Sequence, residues 1–98
     1  MSRNNDENCT PDMYLAAVMI SYGAKIINVD RSNKKRLKFC FDPAIDYIWT
    51  LEAGQQVRKV PNPSFNMIKN EFTSKTLLLL PNYSDAIRSI KSMIHEDE

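Results

Sequence analysis

The clearest pattern in the chain is an alternation of apolar and polar residues in its middle third. From 36 to 41, large apolar residues occupy every second position, which is typical of a half-buried strand. The segment 25–30 is also rich in β-formers, and 30–35 contains Asp, Ser and Asn, which favour turns. The pattern therefore predicts a β-hairpin over Lys25–Phe41. Its predicted inner face consists of Ile27, Val29, Leu37, Phe39 and Phe41.

The segment before the hairpin has the start and stop signals of a helix. Thr10 is a preferred N-cap residue, and Pro11 suits the first helical position. Gly23 suits the left-handed position just after a helix. The intervening residues are apolar on almost every side, so we expect a short helix buried on more than one face.

Two further helices are predicted after the hairpin, each beginning at an Asx-Pro pair. Asp42 would cap the first, which Gly54 ends or interrupts, and the polar segment 55–60 would form a loop or a short extended segment. Asn62-Pro63 would begin the next helix. The predicted inner residues are Ile45, Ile48 and Trp49 in the first and Phe65, Ile68 and Phe72 in the second.

The last quarter of the chain combines an ambiguous segment with a clearer helix. Residues 73–80 could form a third strand or continue the preceding helix, since their length favours a strand and their leucines favour a helix. We favour a strand that includes Leu77–Leu80. Ser84 would cap a final helix, with Ala86, Ile87, Ile90 and Ile94 facing inward.

These elements predict an α+β fold, in which a small antiparallel sheet packs against about four helices. With 98 residues, 43% of them hydrophobic and 26% charged, the chain can build one modest core. We expect a disordered leader at 1–9, a single domain at 10–94 and a frayed acidic tail at 95–98.

The segment MYLAAVMISYGAKIINVDRSNKKRLKFCFD resembles a family of short uncharacterised bacterial and phage proteins. The similarity covers about 12–75 and consists of a Leu-Ala-rich helix ending at a glycine, a basic hairpin and an Asn-Pro helix start. The matching residues are Ala16, Ala17, Gly23, Phe39, Phe41, Pro63 and Phe65. The resemblance implies the fold and a phage or mobile-element origin, but it implies no active site.

The composition also indicates the setting of the protein. No apolar run approaches the length of a membrane span, and the first residues lack the apolar region of a secretory signal. A cytoplasmic location without membrane contact is therefore expected. Cys9 and Cys40 agree with that location, since nothing in their positions requires a disulfide, and they lack the clustering of a metal site.

Catalysis has little support in the sequence. The only histidine, His95, lies in the predicted frayed end, where a general base would lack fixed geometry. Cys40 lies in a predicted strand, where a small core residue is the better interpretation than a nucleophile. Asp42 and Asp46 could form an acid/base pair, but Asp42 is already explained by helix capping. No nucleotide-binding or metalloprotease motif is present. We expect a protein that is not an enzyme, with no cofactor, metal or catalytic residue.

A basic cluster is the best candidate for function. Residues 25–75 contain ten Lys and Arg against five Asp and Glu, although the whole chain carries a net charge of only +1. Such a cluster can contact nucleic-acid phosphates, or it can simply keep an exposed strand soluble. The candidate nucleic-acid-binding residues are Arg31, Lys34, Lys35, Arg36, Lys38, Arg58 and Lys59.

The competing interpretation is a protein-binding module or an inhibitor that covers a host protein. An edge strand from the hairpin or from Leu77–Leu80 could pair with a partner strand or with a second copy of the chain. Tyr22 and Tyr47 could lie at an edge with wet hydroxyls, whereas Trp49 at helical spacing from Ile45 is more often a core residue than a stacking platform. The prediction places nucleic acid ahead of protein as the partner.

Overall fold

The computed structural model describes residues 8–33, 35–42, 44–52, 54 and 56–95. In this part of the chain the fold is α+β, with three helices and two antiparallel sheets rather than one sheet and four helices. The elements are β1 (Cys9–Thr10), α1 (Met13–Ser21), β2 (Lys25–Asp30), β3 (Lys38–Asp42), β4 (Tyr47–Glu52), β5 (Gln56–Pro61), α2 (Phe65–Thr73) and α3 (Tyr83–His95).

The first helix is a core element, as its apolar sequence predicts. The capping residue is Asp12 rather than Thr10, because its carboxylate accepts hydrogen bonds from the amides of Tyr14 (2.8 Å) and Leu15 (3.3 Å). At the other end Gly23 has a φ of +106°, which confirms its predicted role after the helix. The central residues of α1 are buried beneath both sheets, α2 and α3 in one apolar cluster.

The predicted hairpin exists, but a β-bulge changes which residues face the core. Ile26 pairs with Phe41, and Asn28 pairs with Cys40, so Ile27 has no partner of its own in β3. The bulge turns the Ile27 side chain to solvent, where it is 67% exposed. The prediction that Ile27 lies on the inner face is therefore wrong, and Ile26 packs against the core in its place.

A disulfide joins Cys9 to Cys40, which the sequence analysis did not predict. The two cysteines are directly opposed, because β1 pairs with β3 along the edge that β2 leaves open. Disulfides are typical of proteins from oxidising compartments. The bridge counts against the expected cytoplasmic location, which stays a prediction.

The helix predicted over 42–54 is wrong, because Asp42 ends β3 and β4 follows it at Tyr47–Glu52. β4 pairs with β5, so the extended alternative predicted for 55–60 is correct for its described residues, 56–60. In a strand, alternate side chains point to opposite faces. Ile48 is therefore fully buried, whereas Trp49 lies on the other face and is only half-buried. Pro43 lies outside the described residues.

The third predicted helix starts two residues later than expected. Ser64 caps α2 by accepting a hydrogen bond from the Met67 amide (3.1 Å), and Asn62 has a φ of +49° in the preceding turn. Phe65 and Ile68 are buried as predicted. The helix is therefore set by a serine cap, and the Asn-Pro pair belongs to the turn before it.

The leucine run lies beside β4 rather than beside the first hairpin. Leu77 forms an isolated antiparallel bridge with Thr50, and the Leu78 amide donates to the Trp49 carbonyl (2.9 Å). Leu77 is buried, but Leu79 is 51% exposed. The run is therefore extended without forming a full third strand. α3 follows it and packs against α1, with Ala86 and Ile90 buried as predicted.

Candidate functional site

Two consecutive turns, each closed by a hydrogen bond from a backbone amide to a side chain, shape the loop between β2 and β3. The Asp30 carboxylate accepts hydrogen bonds from the amide (2.9 Å) and hydroxyl (2.7 Å) of Ser32. The Asn33 side chain then accepts from the Lys35 amide (3.0 Å), and the Asn33 carbonyl accepts from the Arg36 amide (3.0 Å). These bonds fix the backbone of the loop while the side chains of Lys35 and Arg36 are exposed.

Asp30 is the acidic group of this loop. Its pKa lies below the ordinary value, chiefly because the Ser32 hydroxyl donates to the carboxylate, helped by the Ser32 amide and the charge of Lys38. The carboxylate is therefore ionised at neutral pH. Because Lys38 is opposite Asp30 in the strand register, Asp30 offsets part of the positive charge there.

An open cavity of about 460 Å³ lies between this loop and β1. Its lining consists of Cys9, Pro11, Asp30, Ser32, Asn33, Arg36 and Lys38. The two cations face one carboxylate, and the serine and asparagine add polar groups. This lining can accept an anionic group.

Arg31, predicted to contact nucleic acid, lies against the end of α3. Its guanidinium donates a hydrogen bond to the Met93 carbonyl oxygen (3.2 Å) in the last turn of α3. Carbonyl groups at the end of a helix carry partial negative charge and attract cations. Lys34, the next predicted residue in the run, lies outside the described residues. Among the described residues of this loop the exposed cations are Lys35 and Arg36, with Lys38 at its base.

Arg58 and Lys59 belong to a different hairpin, formed by β4 and β5, and neither lines the loop cavity. Arg58 pairs with the carboxylate of Glu52 at 2.6 Å on the exposed end of this sheet. Lys59 lies on the opposite face, because alternate residues of β5 point in opposite directions. The predicted nucleic-acid-binding residues therefore belong to two different hairpins.

Lys59 lies next to two aromatic rings. Its ammonium nitrogen is 4.5 Å from the ring centroid of Tyr47 and 5.9 Å from that of Trp49. The two rings are 5.6 Å apart and nearly perpendicular, at 75°. A cation over aromatic faces is attracted by their negative electrostatic potential. We call these three residues the aromatic corner.

The aromatic corner is part of a larger, mostly apolar face of the second sheet, which we call the outer face of β4–β5. The strand register places six side chains on it: Tyr47, Trp49, Leu51, Val57, Lys59 and Pro61. The opposite face carries Ile48 and Val60 into the core. Sequence analysis missed this face because it treated the segment as a helix, although Tyr47, Trp49 and Leu51 do alternate with Ile48 and Thr50.

A second cavity, of about 390 Å³, adjoins the aromatic corner. Its lining consists of Ser21, Tyr22, Gly23, Ala44, Asp46, Tyr47, Trp49 and Leu80. Three aromatic residues and one carboxylate give it a mixed apolar and acidic character, within the usual size range of ligand cavities.

The Tyr22 hydroxyl holds one wall of this second cavity in place. It donates to the Leu78 carbonyl (2.7 Å) and accepts from the Trp49 amide (3.3 Å), which ties the end of α1 to β4 and the leucine run. Burial is the main reason that the pKa of Tyr22 lies above its ordinary value, against the opposing effect of the Trp49 amide. The neutral phenol is the form that stabilises this junction.

Removing this hydroxyl is expected to destabilise the protein. Tyr22→Phe leaves the Leu78 carbonyl and the Trp49 amide without their phenol partner, which should cost about 1–2 kcal/mol in urea unfolding at pH 7. Since the folded state raises the pKa above 10.0, the contribution should persist to pH 10 and decline as the pH rises through the folded value. The control is Tyr14→Phe at an exposed tyrosine, and an equal loss in both variants would contradict the assignment.

Three findings from the described ranges concern metal binding, the two residues considered for catalysis, and membrane spans. No group of three His, Cys, Asp or Glu side chains there is placed to hold a metal ion. Cys40 is oxidised to a disulfide, and His95 is the last residue of α3. None of the described helices has the length and apolar character to cross a membrane. That the protein is not an enzyme stays a prediction.

Comparisons with known proteins find no matching family model, no similar curated protein and no similar solved structure. The resemblance to short bacterial and phage proteins therefore stays a prediction. The function has to be inferred from the geometry of the two surfaces.

Proposed function

We propose that the protein is a non-enzymatic binding protein that contacts nucleic-acid phosphates through the loop between β2 and β3. The observation that carries this proposal is the open cavity beside the loop, where the two cations Arg36 and Lys38 outnumber the one carboxylate of the described lining, Asp30, and lie with the polar side chains of Ser32 and Asn33. Lys35 is exposed next to them. Arginine, lysine, serine and asparagine side chains are the usual partners of phosphate oxygens.

The proposal implies weak binding with little sequence preference. Phosphate contacts carry no sequence information, and most of their free energy comes from the release of counterions. If about three cations contact phosphates, affinity should fall roughly 20- to 40-fold between 50 and 200 mM salt. The net charge of only +1 counts against the proposal, because the usual footprint of a nucleic-acid-binding domain is strongly basic.

A pair of substitutions in the loop tests the proposal. Lys35→Ala with Arg36→Ala should weaken binding to labelled DNA and RNA at low salt and reduce the slope of log K against log salt by about 1–2. Fluorescence anisotropy over a salt series measures both quantities. We leave Lys38 unchanged, since it is opposite Asp30 in the sheet.

The matched control is Lys69→Ala with Lys91→Ala, which removes the same charge from exposed positions on α2 and α3. This control should bind like the wild type after correction for net charge. Equal affinities and equal salt slopes in the two double variants would refute the contribution of the loop.

A protein partner is the second candidate, and exposed aliphatic side chains favour it. Val57 is 54% exposed, Leu51 lies beside it on the outer face of β4–β5, and Leu79 is exposed on the leucine run. Strand addition at β5 is less favourable, because Lys59 and Pro61 are residues that protect an edge from pairing. A protein, or a second copy of the chain, would therefore bind to the face rather than the edge.

A further inference from the structure

We infer that the aromatic corner is a stacking platform for unpaired bases, so that the nucleic acid is single-stranded. The inference rests on the proposed function and names its substrate class. Tyr47 is 39% exposed, and its ring lies 5.6 Å from that of Trp49. Aromatic side chains exposed on a sheet are a recurrent means of binding unpaired bases, because every base has a face that can stack.

Lys59 supplies the charge that such a platform requires. Its ammonium group lies over the Tyr47 ring at 4.5 Å, so a base that stacks on this face displaces the lysine side chain, which then remains close to the phosphate of that base. Proteins that bind single strands combine aromatic rings with positive charge in this way. The combination fits a ligand that is both aromatic and anionic.

The cavity beside the aromatic corner bears on the orientation in which a strand would bind. Asp46 is the charged residue in its lining, and a carboxylate accepts hydrogen bonds from base amino groups while it repels phosphate. In the proposed complex the base edge would lie toward Asp46 and the sugar-phosphate backbone toward Lys59.

The same geometry discriminates against a duplex. Bases inside a double helix are stacked on each other, and exposing one requires a few kcal/mol of unstacking energy. A protein ligand is less favoured at the corner, because the centre of a protein interface is usually depleted in charged residues. Lys59 is at the centre of this face, opposite Trp49 in the strand register.

Trp49 allows a direct test, because it is the only tryptophan in the chain. Its emission is followed during titration with a single-stranded thymidine oligomer, a duplex of equal length, and heparin, a polyanion without bases. We expect quenching with the single strand, little change with the duplex and none with heparin. This comparison requires no variant and therefore does not depend on how any substitution folds.

A tyrosine pair supplies the matched variants. Tyr47→Ala should weaken single-strand affinity roughly 5- to 100-fold, the range measured for stacked aromatic residues. Tyr14→Ala removes an exposed tyrosine from α1 and should leave the affinity unchanged. Circular dichroism confirms that both variants are folded before binding is compared.

The outcomes separate this inference from the proposed function. Equal binding of single strand and duplex without quenching would overturn the platform, while salt-dependent binding lost on changing Lys35 and Arg36 would still support the loop. Absence of binding to every nucleic acid would overturn both. A blue shift of Trp49 emission with rising protein concentration, without any response to nucleic acid, would assign the face to a second copy and also overturn the platform.

Discussion

Phe39→Ala is expected to lower the free energy of unfolding by about 3–5 kcal/mol, the usual cost of removing a buried phenylalanine side chain. Phe39 is only 1% exposed and lies in β3, the central strand of the three-stranded sheet. Because its ring belongs to the apolar cluster that includes α1, the substitution leaves a cavity that several elements share. Urea unfolding followed by circular dichroism and by Trp49 fluorescence measures the loss.

Ile27→Ala is the control for this prediction and also a test of the bulge. Although Ile27 is large and apolar, it is 67% exposed, so its truncation should change stability by less than about 0.5 kcal/mol. Ile26→Ala should cost more, because Ile26 packs against the core. A loss at Ile27 as large as that at Phe39 would contradict the bulged register and restore the regular alternation.

The first hairpin shows which features the alternation of apolar and polar residues can predict and which it cannot. Its strands and its turn were predictable, because Phe39 and Phe41 recur with a period of two and Asp, Ser and Asn fill the loop. The bulge was not, because a single extra residue in one strand depends on the fit of that strand to its partner and to α1. Ile26 and Ile27 are identical residues, so only the register distinguishes them.

The second sheet was missed because its sequence matches two periodicities. Ile45, Ile48 and Trp49 have helical spacing, and Asp42-Pro43 resembles a helix start. The β-branched and aromatic residues of 47–51 also favour a strand, and pairing with β5 decides between the two. β4 has apolar residues on both faces, because its exposed outer face carries aromatic residues. Its sequence therefore lacks the alternation of apolar and polar residues that indicates a strand.

The division of the basic residues follows from the same error. Because β4 and β5 form a hairpin of their own, Arg58 and Lys59 belong to that hairpin and not to the first loop, and Lys59 lies against Tyr47. Charge density along the chain could locate the loop cations, but it could not show that Arg31 binds the end of α3. The two surfaces that remain have different proposed interactions, namely phosphate contacts at the loop and base stacking at the aromatic corner.

The second large effect concerns the disulfide between Cys9 and Cys40, which are separated by 31 residues in sequence. Closing a loop of this length restricts the unfolded chain, and the chain-entropy estimate of that restriction is about 3–4 kcal/mol. The bridge also fixes β1, which has only two residues, to the central strand of its sheet. Because small domains are stable by only about 5–15 kcal/mol, its loss should be prominent.

Reduction and substitution should give the same result if the bridge is the cause. Wild-type protein in dithiothreitol and the double variant Cys9→Ala with Cys40→Ala should both unfold at lower urea than the oxidised wild type, by the equivalent of about 3–4 kcal/mol. The double variant should not respond to dithiothreitol, which controls for effects of the reductant itself. Unchanged wild-type stability in dithiothreitol would show that the bridge contributes nothing. Cys9 lines the cavity beside Arg36, so reduction should also weaken the proposed phosphate binding there. Quenching of Trp49, which lies in the other hairpin, should persist as long as the protein remains folded.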